Sequence, residues 1–214
     1  TQFGGAAAVA AGNSSNTWTA TYTIVRGAID ATNRNVSVTA TDNAGNATTS
    51  TDDTNANVDN QAPTVTAAKI SLSGAAGTGG AFKSGDTVTA AWDNTASGDN
   101  NADISTVTVD FSQFGGCAAV SASNSSGTWT ATCLIAAGAI DATNRNVSVT
   151  ATDNAGGVTT TADNANATVD NQAPTVTDAN ISISGASGAG GVFNIGDTVT
   201  ATWNNTAGGD NNAD

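Results

Sequence analysis

Residues 27–45 (GAIDATNRNVSVTATDNAG) recur without change at 138–156, 111 positions later. The same offset relates residues 60–66 (NQAPTVT) to 171–177 and residues 2–5 (QFGG) to 113–116, with no gap. A solenoid coil or propeller blade repeats every 20–50 residues or so, whereas about 100 residues make one small independent domain. The chain is therefore read as beads on a string. Its only two prolines, Pro63 and Pro174, occupy equivalent places in Asp-Asn-Gln-Ala-Pro. Proline cannot donate within a central strand and stiffens a connection, so the boundary is set just before Asn60 and Asn171. Residues 1–59 are then the C-terminal part of one unit, 60–170 a complete unit and 171–214 the start of a third. The stretch with no second copy is 104–111.

Strong helix formers are scarce, while Thr and Val, which suit a pleated surface, are plentiful. Alternation of apolar and small polar residues predicts seven strands in the complete unit, over 64–72, 87–92, 104–111, 117–121, 128–135, 146–152 and 158–169. Seven short strands in about 100 residues predict an all-β fold, tandem seven-stranded immunoglobulin-like sandwiches. Val88, Ala90, Trp92, Val107, Val109, Phe111, Trp129, Ala131, Val147, Val149 and Ala151 are the expected core. The four tryptophans are read as core anchors.

DNQAPTVT (59–66), GDTVTATW (196–203) and VTATDNAG (38–45) together resemble the immunoglobulin-like tandem repeats of bacterial giant adhesins and other prokaryotic surface proteins. The resemblance spans the chain. It implies a cell-surface or secreted stalk or filament, often stiffened by calcium. The chain differs from antibody domains in lacking a tryptophan on the third strand and the inter-sheet cysteine pair.

Cys117 and Cys133 occur in one copy only, where the preceding copy has Ala6 and Tyr22. Their joint presence and joint absence predict a disulfide, expected to face across a hairpin turning near residues 124–127. Such a bond fits an oxidising, extracellular setting.

All 18 acidic residues are Asp, and five cations leave a net charge of −13. Phosphate backbones and anionic membranes select clustered Lys and Arg, so neither nucleic acid nor a membrane surface is an expected partner. No apolar run reaches the roughly 20 residues that span a bilayer. The chain has no His, which removes the ordinary imidazole base, and its acids lie in turn motifs duplicated in each copy. An enzyme is not expected.

In a seven-strand sandwich the loops after strands two and six meet the incoming linker at one end. They carry Asp99 and Asp103, Asp153, and Asp59. Calcium takes six to eight oxygen ligands, and these four are the expected set at the junction between units. Asp170, Asp210 and Asp214 are their counterparts at the next junction, and Asp42 is the counterpart of Asp153. The same residues also favour turns for purely local reasons, and the sequence leaves both readings open. The expected function is a structural repeat whose partners are neighbouring repeats or identical chains in a fibre, with residues 171–214 completed by a following segment or chain. A glycan-binding adhesin module, with Phe3, Phe82 and their equivalents as candidate aromatics, is the alternative. Flat Thr-x-Thr arrays that bind ice are a third reading.

Overall fold

The computed structural model describes residues 2–5 and 7–213. It is all-β, with only single-turn 3₁₀ helices between strands. The N-terminal part carries β1 (Gly12–Ser14), β2 (Thr17–Thr19), β3 (Asp30–Arg34), β4 (Ser37–Thr41), β5 (Ala47–Thr51) and β6 (Ala56–Asp59). The central part carries β7 (Ile70–Ser73), β8 (Phe82–Lys83), β9 (Thr87–Asp93), β10 (Ile104–Asp110), β11 (Val120–Ser121), β12 (Ser123–Ser125), β13 (Thr128–Leu134), β14 (Asp141–Arg145), β15 (Ser148–Asp153), β16 (Val158–Ala162) and β17 (Ala167–Asp170). The C-terminal part has β18 (Ile181–Ser184) and β19 (Thr200–Trp203).

Two four-stranded sheets, ordered β12-β13-β9-β7 and β11-β10-β15-β16, enclose one core in the central part. The first contributes Val88, Ala90, Trp92, Trp129, Ala131 and Cys133, and the second Val107, Val109, Val149 and Ala151, all buried. Every residue expected in the core is buried there. A third sheet, β14-β17-β8, adds Phe82 and Val169 to the same core, with β17 and β8 parallel. It brings Phe82 edge-to-face onto Phe114, ring centres 5.3 Å apart. Both rings are buried, so neither of these aromatics is offered to a ligand.

Three strand expectations need correction. Residues 64–66 do not join a ladder, because side chains satisfy their backbone: Asn101 holds both the amide and the carbonyl of Thr64, Asp99 accepts from the Thr66 amide, and the Thr161 hydroxyl donates to the Val65 carbonyl. Residues 158–169 break into β16 and β17 at a turn where Asn166 takes φ 53°. Asp163 organises that turn, accepting from the amides of Ala165 at 2.6 Å and Val147 at 2.6 Å. Residues 117–121 hold only the two-residue strand β11, since Cys117 and Ala119 have φ of 41° and 54°.

The disulfide between Cys117 and Cys133 is formed, with Cα atoms 6.0 Å apart, but not across the expected hairpin. That hairpin is β12–β13, with Ser123 opposite Thr130. Cys133 sits opposite Val88 in the sheet interior, and Cys117 reaches it from the connection that precedes β11. The chain then changes sheets between β11 and β12.

Outside the central part the same local pairs form but stay open. β1–β2, β3–β6 and β4–β5 repeat β12–β13, β14–β17 and β15–β16 at the offset of 111, and β18–β19 repeats β7–β9. Trp18 and Trp203 remain substantially exposed, unlike their buried counterparts Trp129 and Trp92. The anchoring expected of all four tryptophans holds for Trp129 and Trp92 and not for Trp18 and Trp203.

Candidate metal centre

Three carboxylates from three separate segments meet where the first part abuts the second. Asp59 ends β6, Asp103 precedes β10 and Asp153 ends β15, and one oxygen of each lies within 4.8 Å of the others. Two oxygens bound to one calcium at about 2.4 Å lie at most about 4.8 Å apart, so the spacing suits a single ion. An open cleft of about 240 Å³ adjoins them, lined by Asp30, Asp59 and the segment from Asp99 to Asp103.

Local folding fixes each member. The amide of Gln61 donates to Asp59 Oδ1 at 3.1 Å. The Asn154 amide donates to the Asp103 carbonyl at 3.1 Å, tying the two loops of the central part together. Asp153 Oδ1 accepts from the amides of Ala155 and Gly157, at 2.9 and 2.7 Å. Its Oδ2 is buried and has no hydrogen-bond partner, although the residue is only 3% exposed. Buried polar atoms are ordinarily paired, and a carboxylate with an orphaned oxygen, grouped with two further carboxylates, is a place where a cation would satisfy it.

The electrostatics agree. Burial pushes the Asp103 carboxyl above the ordinary range, and the charges of Asp59, Asp153 and Asp30 push it further the same way. Asp30 lies directly opposite Asp59 in the β3–β6 ladder, a like-charge pairing that destabilises a sheet. A divalent ion would offset all of these repulsions together.

The other expected ligands are placed elsewhere. Asp99 lines the cleft, but its carboxylate accepts from the Trp92 indole at 2.7 Å and the Thr66 amide at 2.8 Å. Asp210 does the same for Trp203 at 2.6 Å and Thr177 at 2.8 Å. Hydrogen bonding from the Thr177 side chain first, then from the Trp203 indole, the Thr177 amide and Asn180, holds the Asp210 carboxyl far below the ordinary range. Asp42 differs from Asp153 through one neighbour. Where the central part has Gly157 the first has Asn46, whose side-chain amide donates to Asp42 Oδ2 at 2.8 Å. Its amide and that of Ala44 bond Oδ1, and the Asn46 bonds lead in holding this carboxyl low. Asp170 lies opposite Asp141, as Asp59 lies opposite Asp30, and accepts from the Gln172 amide. Asp214 falls outside the described residues.

The residues that the sequence reading missed here are Asp30 and the asparagine clamps. Asn60 accepts from the Ile29 amide and donates to the Val25 carbonyl, both at 2.8 Å. Asn171 repeats this with Ile140 and Ala136 at 2.8 and 2.9 Å. Each clamp fastens the connection to the preceding unit. Across the junction, the Arg26 guanidinium donates to the Thr159 hydroxyl at 3.3 Å.

No family model, curated protein or solved structure matches the chain. Among the described residues no helix is long and apolar enough to cross a membrane.

Proposed function

We propose that this chain is a structural repeat module of an extended extracellular stalk or filament, built from immunoglobulin-like sandwiches with calcium at the junction between units. The buried, unpartnered Oδ2 of Asp153, in a carboxylate that groups with those of Asp59 and Asp103, carries the proposal. Further support comes from the strand orders: β12-β13-β9-β7 corresponds to D-E-B-A of an immunoglobulin-type sandwich, and β11-β10-β15-β16 to C′-C-F-G. Near-identical copies suit a spacer, whose requirement is length. A disulfide suits an oxidising compartment.

In this reading Asp59, Asp103 and Asp153 supply three carboxylate ligands, and carbonyl and water oxygens complete the shell. The ion cross-links the last strand of one unit to two loops of the next and restrains their relative rotation. The test is thermal unfolding with calcium in excess and with chelator. A ligand bound only by the native state raises the midpoint; at 100 times its Kd the gain is about 2.7 kcal/mol. The expected result is a calcium-dependent rise lost in Asp153→Asn. Coincident melts of the unsubstituted chain would remove calcium from the reading.

A further inference from the structure

The identity of residues 27–45 with 138–156 ends at the next position, where the first copy has Asn46 and the second Gly157. Both residues close the same turn, and the backbone of the two turns matches bond for bond. Oδ1 of the leading aspartate accepts from the amides two and four positions on, at 2.9 and 2.8 Å for Asp42 and at 2.9 and 2.7 Å for Asp153. The aspartate amide donates to the carbonyl four positions on, at 2.9 and 3.0 Å. Gly45 and Gly156 take φ of 93° and 90°. The side chain that closes the turn is what differs. Asn46 donates its amide to Asp42 Oδ2 at 2.8 Å, a bond made wholly within the turn. Gly157 has no side chain to donate, and Asp153 Oδ2 is buried without a partner. Gly157 also borders that oxygen. A Cβ there would overlap Asp153 Oδ2 and lie 3.1 Å from the Cα of Ala62, in the connection between units. Unbonded carbons rest at roughly 3.5–4.0 Å, so a side chain at this position displaces the carboxylate, the connection or both.

We infer that position 157 decides whether this junction takes a cation. Glycine there leaves Oδ2 of Asp153 for an external ion and lets the connection at Ala62 lie against the turn. Asparagine there would satisfy the same oxygen from within, as Asn46 does for Asp42, and remove the need for the ion. That role rests on the calcium reading of Asp59, Asp103 and Asp153, and it names the residue on which occupancy of the site depends. An amide N–H and a cation compete for the same carboxylate lone pairs, so a donor supplied by the turn lowers affinity for the ion. Gly157 acts through Asp153 and is a positioning residue. A unit with glycine at this place then makes a cation-responsive junction, and a unit with asparagine makes one that is indifferent to the ion. Two sequences that differ at one residue of an otherwise identical turn would give the array two kinds of joint.

The experiment is calorimetric titration of calcium alone into the full chain, unsubstituted and as Gly157→Asn and Gly157→Ala, followed by thermal melts of all three in chelator. The unsubstituted chain binds. Gly157→Asn weakens binding about 10–100-fold, the scale on which hydrogen-bond partners of ligating groups set metal affinity. Gly157→Ala crowds the carboxylate without supplying a donor, so its affinity falls between the two. In chelator Gly157→Asn melts above Gly157→Ala, because its amide pairs the oxygen that alanine leaves orphaned. A purely steric role for Gly157 would weaken both variants alike and give asparagine no advantage over alanine. If the unsubstituted chain does not bind calcium, the calcium reading falls and this role falls with it. If the unsubstituted chain binds and Gly157→Asn binds as tightly, the calcium reading stands and the inference is overturned. A Gly157→Asn chain that melts no higher than Gly157→Ala, or that fails to fold where the turn at Asn46 accommodates the same side chain, overturns it as well.

Discussion

Many of the aspartates that crowd this sequence fold the backbone locally, and the few that differ are told apart by what surrounds them. Asp86 accepts from the amides of Ala76 and Lys83, both at 3.0 Å. These bonds, that from Lys83 first, hold its carboxyl below the ordinary 3.8, with Lys83 charge adding to them. A carboxyl held low in the folded state contributes stability that is present above its unfolded pKa and is lost as pH falls through the folded value. Asp86→Asn should therefore lower the melting midpoint at neutral pH, with the difference from the unsubstituted chain shrinking below about pH 3.8. Melts across an acid pH series check this. Asn171 offers a test without charge. Removing its side chain leaves the Ile140 amide and the Ala136 carbonyl without these partners. Asn171→Ala should cost roughly 1–3 kcal/mol for each group left unsatisfied, read by denaturant unfolding. Nothing in the sequence distinguishes Asp99 from Asp153. The discriminating signal was the neighbour four positions on, Gly157 against Asn46, and it acquires meaning only once the loop geometry is known.

At the scale of elements, alternation located the strands that bury one face. β9, β10, β13 and β15 lie where Val, Ala and Trp alternate with Thr. It missed β14 because Asp-Ala-Thr-Asn-Arg has no apolar alternation. That strand pairs with β17 through a register shift, with Asn144 at φ 57°. It merged β16 with β17 because the turn between them is built by Asp163, whose two oxygens replace ladder bonds. Cys117 and Cys133 were legible as a pair because the neighbouring copy lacks both, whereas the route between them depends on a change of sheet that periodicity does not register. Their bond spans 16 positions, and loop-closure entropy for such a length stabilises by about 3 kcal/mol. Replacing the pair by the residues of the preceding copy, Cys117→Ala with Cys133→Tyr, should lower the stability of the central part by about that amount and leave its strands intact. Denaturant unfolding and far-ultraviolet circular dichroism measure the two effects separately.

For the whole molecule, the position of the acid cluster matters more than its composition. Asp59 belongs to the ladder β3–β6, while Asp103, just before β10, and Asp153, at the end of β15, belong to the central part. An ion confined to one unit would stabilise that unit and leave its orientation to the next unchanged. An ion shared across the boundary would couple the two, because loss of either side removes a ligand. Arg26 donates one hydrogen bond to Thr159 there, beside a cleft of about 300 Å³ lined from both sides, so the junction has room to bend when the carboxylates repel one another. Asp59→Asn then separates the two cases. With the shared ion, this substitution abolishes the calcium response of the interdomain distance, followed by fluorescence transfer between a label in residues 1–59 and one in the central part. In chelator the central part melts as before, since Asp59 is outside its core. If calcium still narrows the distance distribution of Asp59→Asn as it does that of the unsubstituted chain, the ion is not a junction clamp, and stiffness along the array must come from packing alone.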